Sequence, residues 1–257
     1  MDRFFAEGRL RRTPVGGGPP VDIARVPLHT FGASWGPDDR IVLVWVRSPL
    51  HVVDAEHTLL VHTIAPVPLT QLEPGESGHY RPEILPDGRT LLFDTGSHVH
   101  ALDLETGRRT ALVEGVAPRY AATGHLVVGR GPTLLAAPFD PSRAALIGPV
   151  VPLVDGVAST GSVGNMQYAI SRTGTLAYLP AATRHASWTR AMTSASSRED
   201  QLSFENPQFW PDGQRLAVAT RRRAGESTEI RVHDLEALAR HRGSPTTGSS
   251  RASSRST

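Results

Sequence analysis

Apolar residues fall at alternate positions in short runs along most of the chain, and clusters of Pro, Gly, Asp, Ser and Thr separate the runs. Period-two alternation over four to eight residues places every second side chain on one face, which is the pattern of a half-buried strand. The clearest passage is Glu83 to Phe93, where Ile84–Leu85 and Leu91–Phe93 flank Pro86-Asp87-Gly88. Proline presets φ for the start of a tight turn, Asp can cap it with its side chain, and Gly accepts the positive φ that closes it. The passage predicts a β-hairpin.

The hairpin recurs. Gly32–Leu43 repeats it around Pro37-Asp38-Asp39, with Asp39 where the others have Gly. Tyr120–Val128 is a degenerate copy around Gly124, Tyr168–Tyr178 turns at Gly174, and Gln208–Val218 turns at Pro211-Asp212-Gly213. The turn positions Asp39, Gly88, Gly124, Gly174 and Gly213 are 49, 36, 50 and 39 residues apart. Their mean of about 43 lies among the periods of four-stranded propeller blades. Further strand-like runs fill the intervals: His98–Leu104 then Thr110–Val113, Thr133–Phe139 then Val150–Val154, and Glu229–Leu235. The expected fold is all-β, a β-propeller of four-stranded antiparallel blades with five hairpin repeats visible. It occupies residues 1–240, with an irregular stretch at 181–203. The Ser/Arg-rich tail at 241–257 has too little apolar surface to offset the entropy of ordering and is expected to be disordered.

Composition narrows the chemistry more than the fold. The chain has 257 residues and no Cys, which removes disulfides, Cys-based zinc sites and cysteine nucleophiles. All 27 basic residues are Arg, so P-loop, Schiff-base and Ser-Lys chemistry are excluded too. A net charge of +2 offers no argument for nucleic acid. No run approaches the length of a membrane span, and the N-terminus has no signal-peptide core, so the chain reads as soluble as written, with its compartment unknown.

Candidate chemical motifs are few. Gly75-Glu76-Ser77-Gly78-His79 comes near a nucleophile elbow but lacks the final Gly and the strand-to-helix context, so it reads as a loop. His98 and His100 share a strand face as two metal ligands could, without a third ligand nearby in sequence. Arg221-Arg222-Arg223 reads as a solvated loop tip, and Gly16-Gly17-Gly18 lacks the context of a dinucleotide fingerprint. No catalytic, cofactor or metal residue is assigned. In a propeller the first strand of each blade lines the centre, so Trp35, Tyr80, Arg81, Tyr120, Gln167 and Trp210, near the hairpin starts, are the candidates to face a bound protein or peptide. The turn residues Pro37, Asp38, Pro86, Asp87, Gly88, Gly174, Pro211, Asp212 and Gly213 are read as architecture.

The repeated hairpin, followed by a strand ending in Asp-Leu as at Leu102-Asp103-Leu104 and His233-Asp234-Leu235, resembles the WD40-like (PD40) repeats of TolB-type propellers. Gly32–Leu43, Pro86–Phe93, Asp103–Gly115, Pro118–Val127 and Leu134–Val154 look most similar to the C-terminal propeller of bacterial transmembrane serine/threonine kinases. The resemblance implies a ring of six blades, five of them marked here by hairpins, hence an incomplete ring and a fragment of a longer protein. It implies a non-catalytic sensing or interaction module outside the cytoplasm, whose full-length relatives are membrane-anchored. Any kinase activity would belong to a missing upstream domain, since the chain has no glycine-rich loop, catalytic loop or Asp-Phe-Gly. The rival expectation is an enzyme: a metal-dependent lyase- or lactonase-like propeller, or the accessory propeller of a prolyl oligopeptidase-like hydrolase.

Overall fold

The computed structural model describes residues 7–14, 17–27, 30–55, 65–160, 164–181, 203–209, 213–221 and 229–235. Within them the chain is an all-β propeller built of antiparallel sheets. A leading hairpin, β1 (Glu7–Arg12) and β2 (Val21–Pro27), precedes the first blade. That blade runs β3 (Thr30–Trp35), β4 (Arg40–Trp45), β5 (His51–Asp54) and β6 (Val67–Pro68) in order. The second runs β7 (Tyr80–Ile84), β8 (Thr90–Asp94), β9 (His98–Asp103) and β10 (Arg109–Glu114). The third has β11 (Val116–Ala121), β12 (His125–Arg130) and β13 (Thr133–Asp140). Its outer edge is divided between β14 (Ala145–Leu146) and β15 (Val151–Val154). Two short pairs follow, β16 (Ser159–Thr160) with β17 (Asn165–Met166), and β18 (Tyr168–Ile170) with β19 (Leu176–Tyr178). The last sheet is three-stranded: β20 (Ser203–Phe209), β21 (Arg215–Arg221) and β22 (Glu229–Asp234).

Among the described residues four blades result: two of four strands, one of five with its outer edge divided, and one of three. The six-bladed ring with five repeats seen is corrected on this point. A hairpin becomes a blade when outer strands pair onto it, and β18–β19 carries none among the described residues. Nor does β2 pair with β22; the ladder partner of β2 is β1, and that of β22 is β21. Trp210, Pro211 and Asp212, Arg222 and Arg223, the stretch 182–202 and the tail 241–257 lie outside the described residues.

The core is a series of layers between sheets, which follows from strand alternation. On β4, Ile41 and Leu43 face the leading hairpin and pack on Ile23 and Ala24. Val42 and Val44 face the second blade and meet Ile84, Leu91 and Phe93. Leu92 points the other way, toward Leu126, Val128 and Phe139 of the third blade. Val127 and Leu134 turn to Met166 and Tyr168, and Ala177 and Leu179 to Leu216 and Val218. Each central strand thus serves two layers, and moving it by one residue would reverse both. No helix among the described residues is long and apolar enough to cross a membrane.

Candidate functional site

The first strands of successive units, β3, β7, β11, β18 and β20, lie side by side. Their turns set a common frame, because Asp39, Gly88, Gly124, Gly174 and Gly213 all have positive φ, between 59° and 85°. These turns also stack on one another. A Cβ at Gly88 would meet Pro37 Cγ at 3.0 Å, and one at Gly174 would meet Thr123 Cγ2 at 3.0 Å. Glycine there serves both the turn conformation and the close approach of the neighbouring hairpin. Asp87 holds its turn by accepting from the N–H groups of Arg89 and Thr90, both at 2.9 Å, and from the Thr90 hydroxyl at 2.8 Å.

Seven residues before the turn stand Arg81 and Ala117, each followed by Pro and each with a left-handed backbone, φ +51° and +52°. The register of β7 and β11 slips at these points, as does that of β20 beside Pro207. Proline cannot donate to the ladder, so each slip is a bulge. Asp94, at the end of β8, ties the two bulges together. It is fully buried and accepts from Arg81 Nε at 2.7 Å, from a second Arg81 nitrogen, from Gly96 N at 2.9 Å and from Ala117 N at 3.0 Å. Burial pushes the Asp94 carboxyl up, against the pull of Arg81 and the two N–H groups.

Five residues before the turn, side chains reach from one blade to the next. Ser34 Oγ accepts from Ile84 N at 2.8 Å, and Glu83 Oε2 accepts from Tyr120 N at 3.2 Å. The N–H groups concerned lie on the free edge of β7 and β11, since Leu85 N, one residue on from Ile84, already bonds Thr90 O across the hairpin. Arg119 leans toward Glu83 at 3.9 Å, too far for a hydrogen bond, and its side chain is 32% exposed. Burial raises the Glu83 carboxyl, with Arg119 and the Tyr120 N–H opposing. The phenol of Tyr168 donates to Ala117 O and reaches Val127 O at 3.2 Å, and burial pushes it up strongly.

The sequence-derived candidates divide accordingly. Trp35 is 50% exposed, with its indole N–H on Asp39 Oδ1 at 3.0 Å. Tyr120 is half-buried and meets Phe139 edge to face, ring centroids 6.1 Å apart. Tyr80, Arg81 and Gln167 are buried, and Trp210 lies outside the described residues. Glu83, Arg119, Asp94 and Tyr168 were not singled out from sequence. A fixed offset from the turn would have found Glu83 and Arg119, whereas Asp94 shows no local signal.

A second polar cluster fills the layer between the first two blades. His79, fully buried in the loop before β7, donates from Nε2 to Glu76 Oε2 at 3.0 Å, and its Nδ1 accepts from Thr70 Oγ1 at 2.8 Å. Leu50 N donates to the same hydroxyl at 2.9 Å, so Thr70 is committed as donor to the histidine. Arg109 bonds Glu76, lies over Phe93 at 5.2 Å, and places its Nε 3.2 Å from His100 Nδ1. Burial first, then Arg109, lowers His100 to about 4. Burial likewise lowers His79, while Arg109 and neighbouring donors bring Glu76 down to about 2 against its own burial. The Thr-His-Glu chain has the outline of a hydrolytic triad, but its histidine is fully buried and its hydroxyl is already accepting from Leu50 N. Gly75–His79 is therefore a structural loop. His98 is exposed and His100 neighbours a cation, and among the described residues no three metal-ligating side chains gather.

No protein-family model and no curated protein matches the sequence. Solved structures do. A protein described as TolB from Agrobacterium tumefaciens aligns at TM-score 0.47 and 15% identity, over 87% of this chain and 73% of that one. Dipeptidyl peptidase 4 of Porphyromonas gingivalis aligns at 0.45 and 11%, over 81% and 38%. The extracellular domain of a protein described as a hybrid two component system of B. thetaiotaomicron aligns at 0.50 and 11%, over 89% and 31%. The chain thus spans less than two fifths of the latter two. The last of these likenesses shows a shared fold and nothing further. The expected tie to serine/threonine kinase propellers is corrected with the six-blade count: four blades are present among the described residues, and no family model links the chain to those proteins.

Proposed function

We propose that this chain is a non-catalytic propeller module that binds a protein or peptide segment through side chains presented by its innermost strands. One observation carries the reading: the groups suited to chemistry are committed to internal partners, whereas the inner strands present accessible polar and aromatic groups. His79, Glu76, His100 and Asp94 all have structural partners. Glu83 and Arg119 are partly exposed at the inner edge, and Trp35 is half-exposed. In this proposal Trp35 and Tyr120 join Glu83 and Arg119 as the contact surface, and Tyr80, Arg81 and Gln167 hold the strands that present it.

The test is capture of peptides from an immobilised random library, compared between wild type and the pair Trp35→Ala and Glu83→Gln/Arg119→Gln. Both variants are expected to lose most of the capture, and undiminished capture by both would overturn the surface. Metal content after purification addresses the enzyme reading, since one divalent ion per chain would replace the present proposal.

A further inference from the structure

At two successive interfaces the inner strands of neighbouring blades are joined by the same kind of bond. Five positions before the turn, Ser34 and then Glu83 supply an acceptor to the edge N–H of Ile84 and then Tyr120. At the next interface the corresponding residue is Arg119, and the corresponding N–H belongs to Ile170. Guanidinium is a donor only, so at this offset the chain carries a donor where the preceding interfaces carry an acceptor.

The equivalence rests on geometry as well as on counting. Ser171 N bonds Thr175 O just as Leu85 N bonds Thr90 O, so the Ile170 N–H, like that of Ile84, points away from its hairpin partner. The hairpin also stacks as a blade does. Tyr168 bonds the carbonyl of Ala117, and at the first interface Pro82 Cδ lies 3.5 Å from the position a Cβ of Gly32 would take; Tyr168 and Pro82 share one offset, Ala117 and Gly32 another. The Gly174 turn rests on Thr123 as Gly88 rests on Pro37. Among the described residues no acceptor meets the Ile170 N–H, and the nearest carboxylate to Arg119, that of Glu83, stands 3.9 Å off while serving Tyr120.

We propose that Arg119 and the Ile170 N–H together bind a carboxylate of an acidic peptide. This rests on the peptide-binding reading above and names its ligand class. The ligand carboxylate stands where the Glu83 carboxylate stands one interface earlier, accepting from the edge N–H and from the guanidinium. Charge-assisted bonds of this kind are the stronger class of hydrogen bond, and the planar guanidinium fork suits a carboxylate.

The experiment titrates the full chain, labelled with nitrogen-15, with three fluorescent hexapeptides: one with two central aspartates, one with two central lysines and one neutral. Each is made with a free and with an amidated C-terminus. The expected result is saturable binding of the aspartate peptide with a shift of the Ile170 amide, weakened about tenfold or more in Arg119→Ser and in Arg119→Gln. If amidation abolishes binding, the carboxylate recognised is the C-terminal one; if it does not, it is a side chain. Arg119→Ser is also expected to protect the Ile170 amide from hydrogen exchange, because it restores the acceptor present at Ser34. Binding of the aspartate peptide that leaves Ile170 unmoved, or that survives both substitutions, overturns the carboxylate site and leaves the peptide-binding reading standing. Preference for the lysine or neutral peptide does the same. If none of the peptides binds, both fall.

Discussion

Acid should destabilise this protein through His100 before the lowered carboxylate of Glu76 titrates. The ring is 9% exposed, stacks on Phe93 with centroids 5.4 Å apart, and has the Arg109 guanidinium against its nitrogens. Arg109, Glu76, His79 and His98 are the titratable groups around it, and the result is a value lowered from 6.5 to about 4. Below pH 6.5 the unfolded chain takes up a proton that the folded chain refuses. Stability therefore falls as pH drops from 6.5 and levels off near pH 4, where folded His100 also accepts the proton. A gap of this size corresponds to about 3 kcal/mol, a large share of a typical domain's stability. His79 adds loss in the same direction, and Glu76 becomes costly only between its ordinary value of 4.5 and about 2. Urea unfolding followed by circular dichroism at pH 7.0, 5.5 and 4.5 (conditions chosen to bracket the shift) measures this for wild type and His100→Leu. The variant starts less stable, having lost an acceptor for Arg109, but its pH slope should be shallower, so the two curves converge in acid. Parallel curves would refute the claim that a neutral, buried His100 carries the acid sensitivity.

Three further substitutions probe the bulges and turns. Asp94→Ala removes the bidentate carboxylate from the buried Arg81 charge and should cost about 3–5 kcal/mol in urea unfolding, part of which Arg81→Met in the same chain restores; a loss under about 1 kcal/mol would mean that other groups replace the carboxylate. Ala117→Gly relieves a left-handed backbone and should raise stability by about 1 kcal/mol, seen as a higher melting temperature, and a fall would place the strain elsewhere. Gly88→Ala combines positive φ with a contact of 3.0 Å to Pro37 Cγ, so it should lower stability by about 1 kcal/mol or more, and neutrality would show that the neighbouring turn yields freely.

What could be read from the chain was what its local chemistry determines. The turn at Pro86-Asp87-Gly88 needs only four consecutive residues, and the division of Ile41 and Leu43 from Val42 and Val44 needs only strand alternation. Blade completeness is different in kind, because it depends on whether distant strands pair onto a hairpin, and Tyr168–Tyr178 looks in sequence like any other copy. Arg81 illustrates the same limit at the site. Its place at the start of an inner strand suggested an exposed contact, but Asp94, brought beside it by the hairpin, draws it into the interior. Glu83 and Arg119 were visible as charges, and only the hydrogen bond to the next blade gives their shared offset a meaning.

The two edge bonds made by Ser34 and Glu83 also have an order in time. Ser34 precedes the N–H it receives by 50 residues, and Glu83 precedes its donor by 37. During synthesis each acceptor leaves the ribosome before the strand that needs it, so a newly emerged inner strand finds its edge partner already in place. Chains are made at roughly 5–20 residues per second, so the wait is of the order of seconds, long compared with hairpin formation. Assembly from the N-terminal blade onward is thus built into the direction of these contacts, and a circular permutant that reversed donor and acceptor order would expose unpaired strand edges during its synthesis.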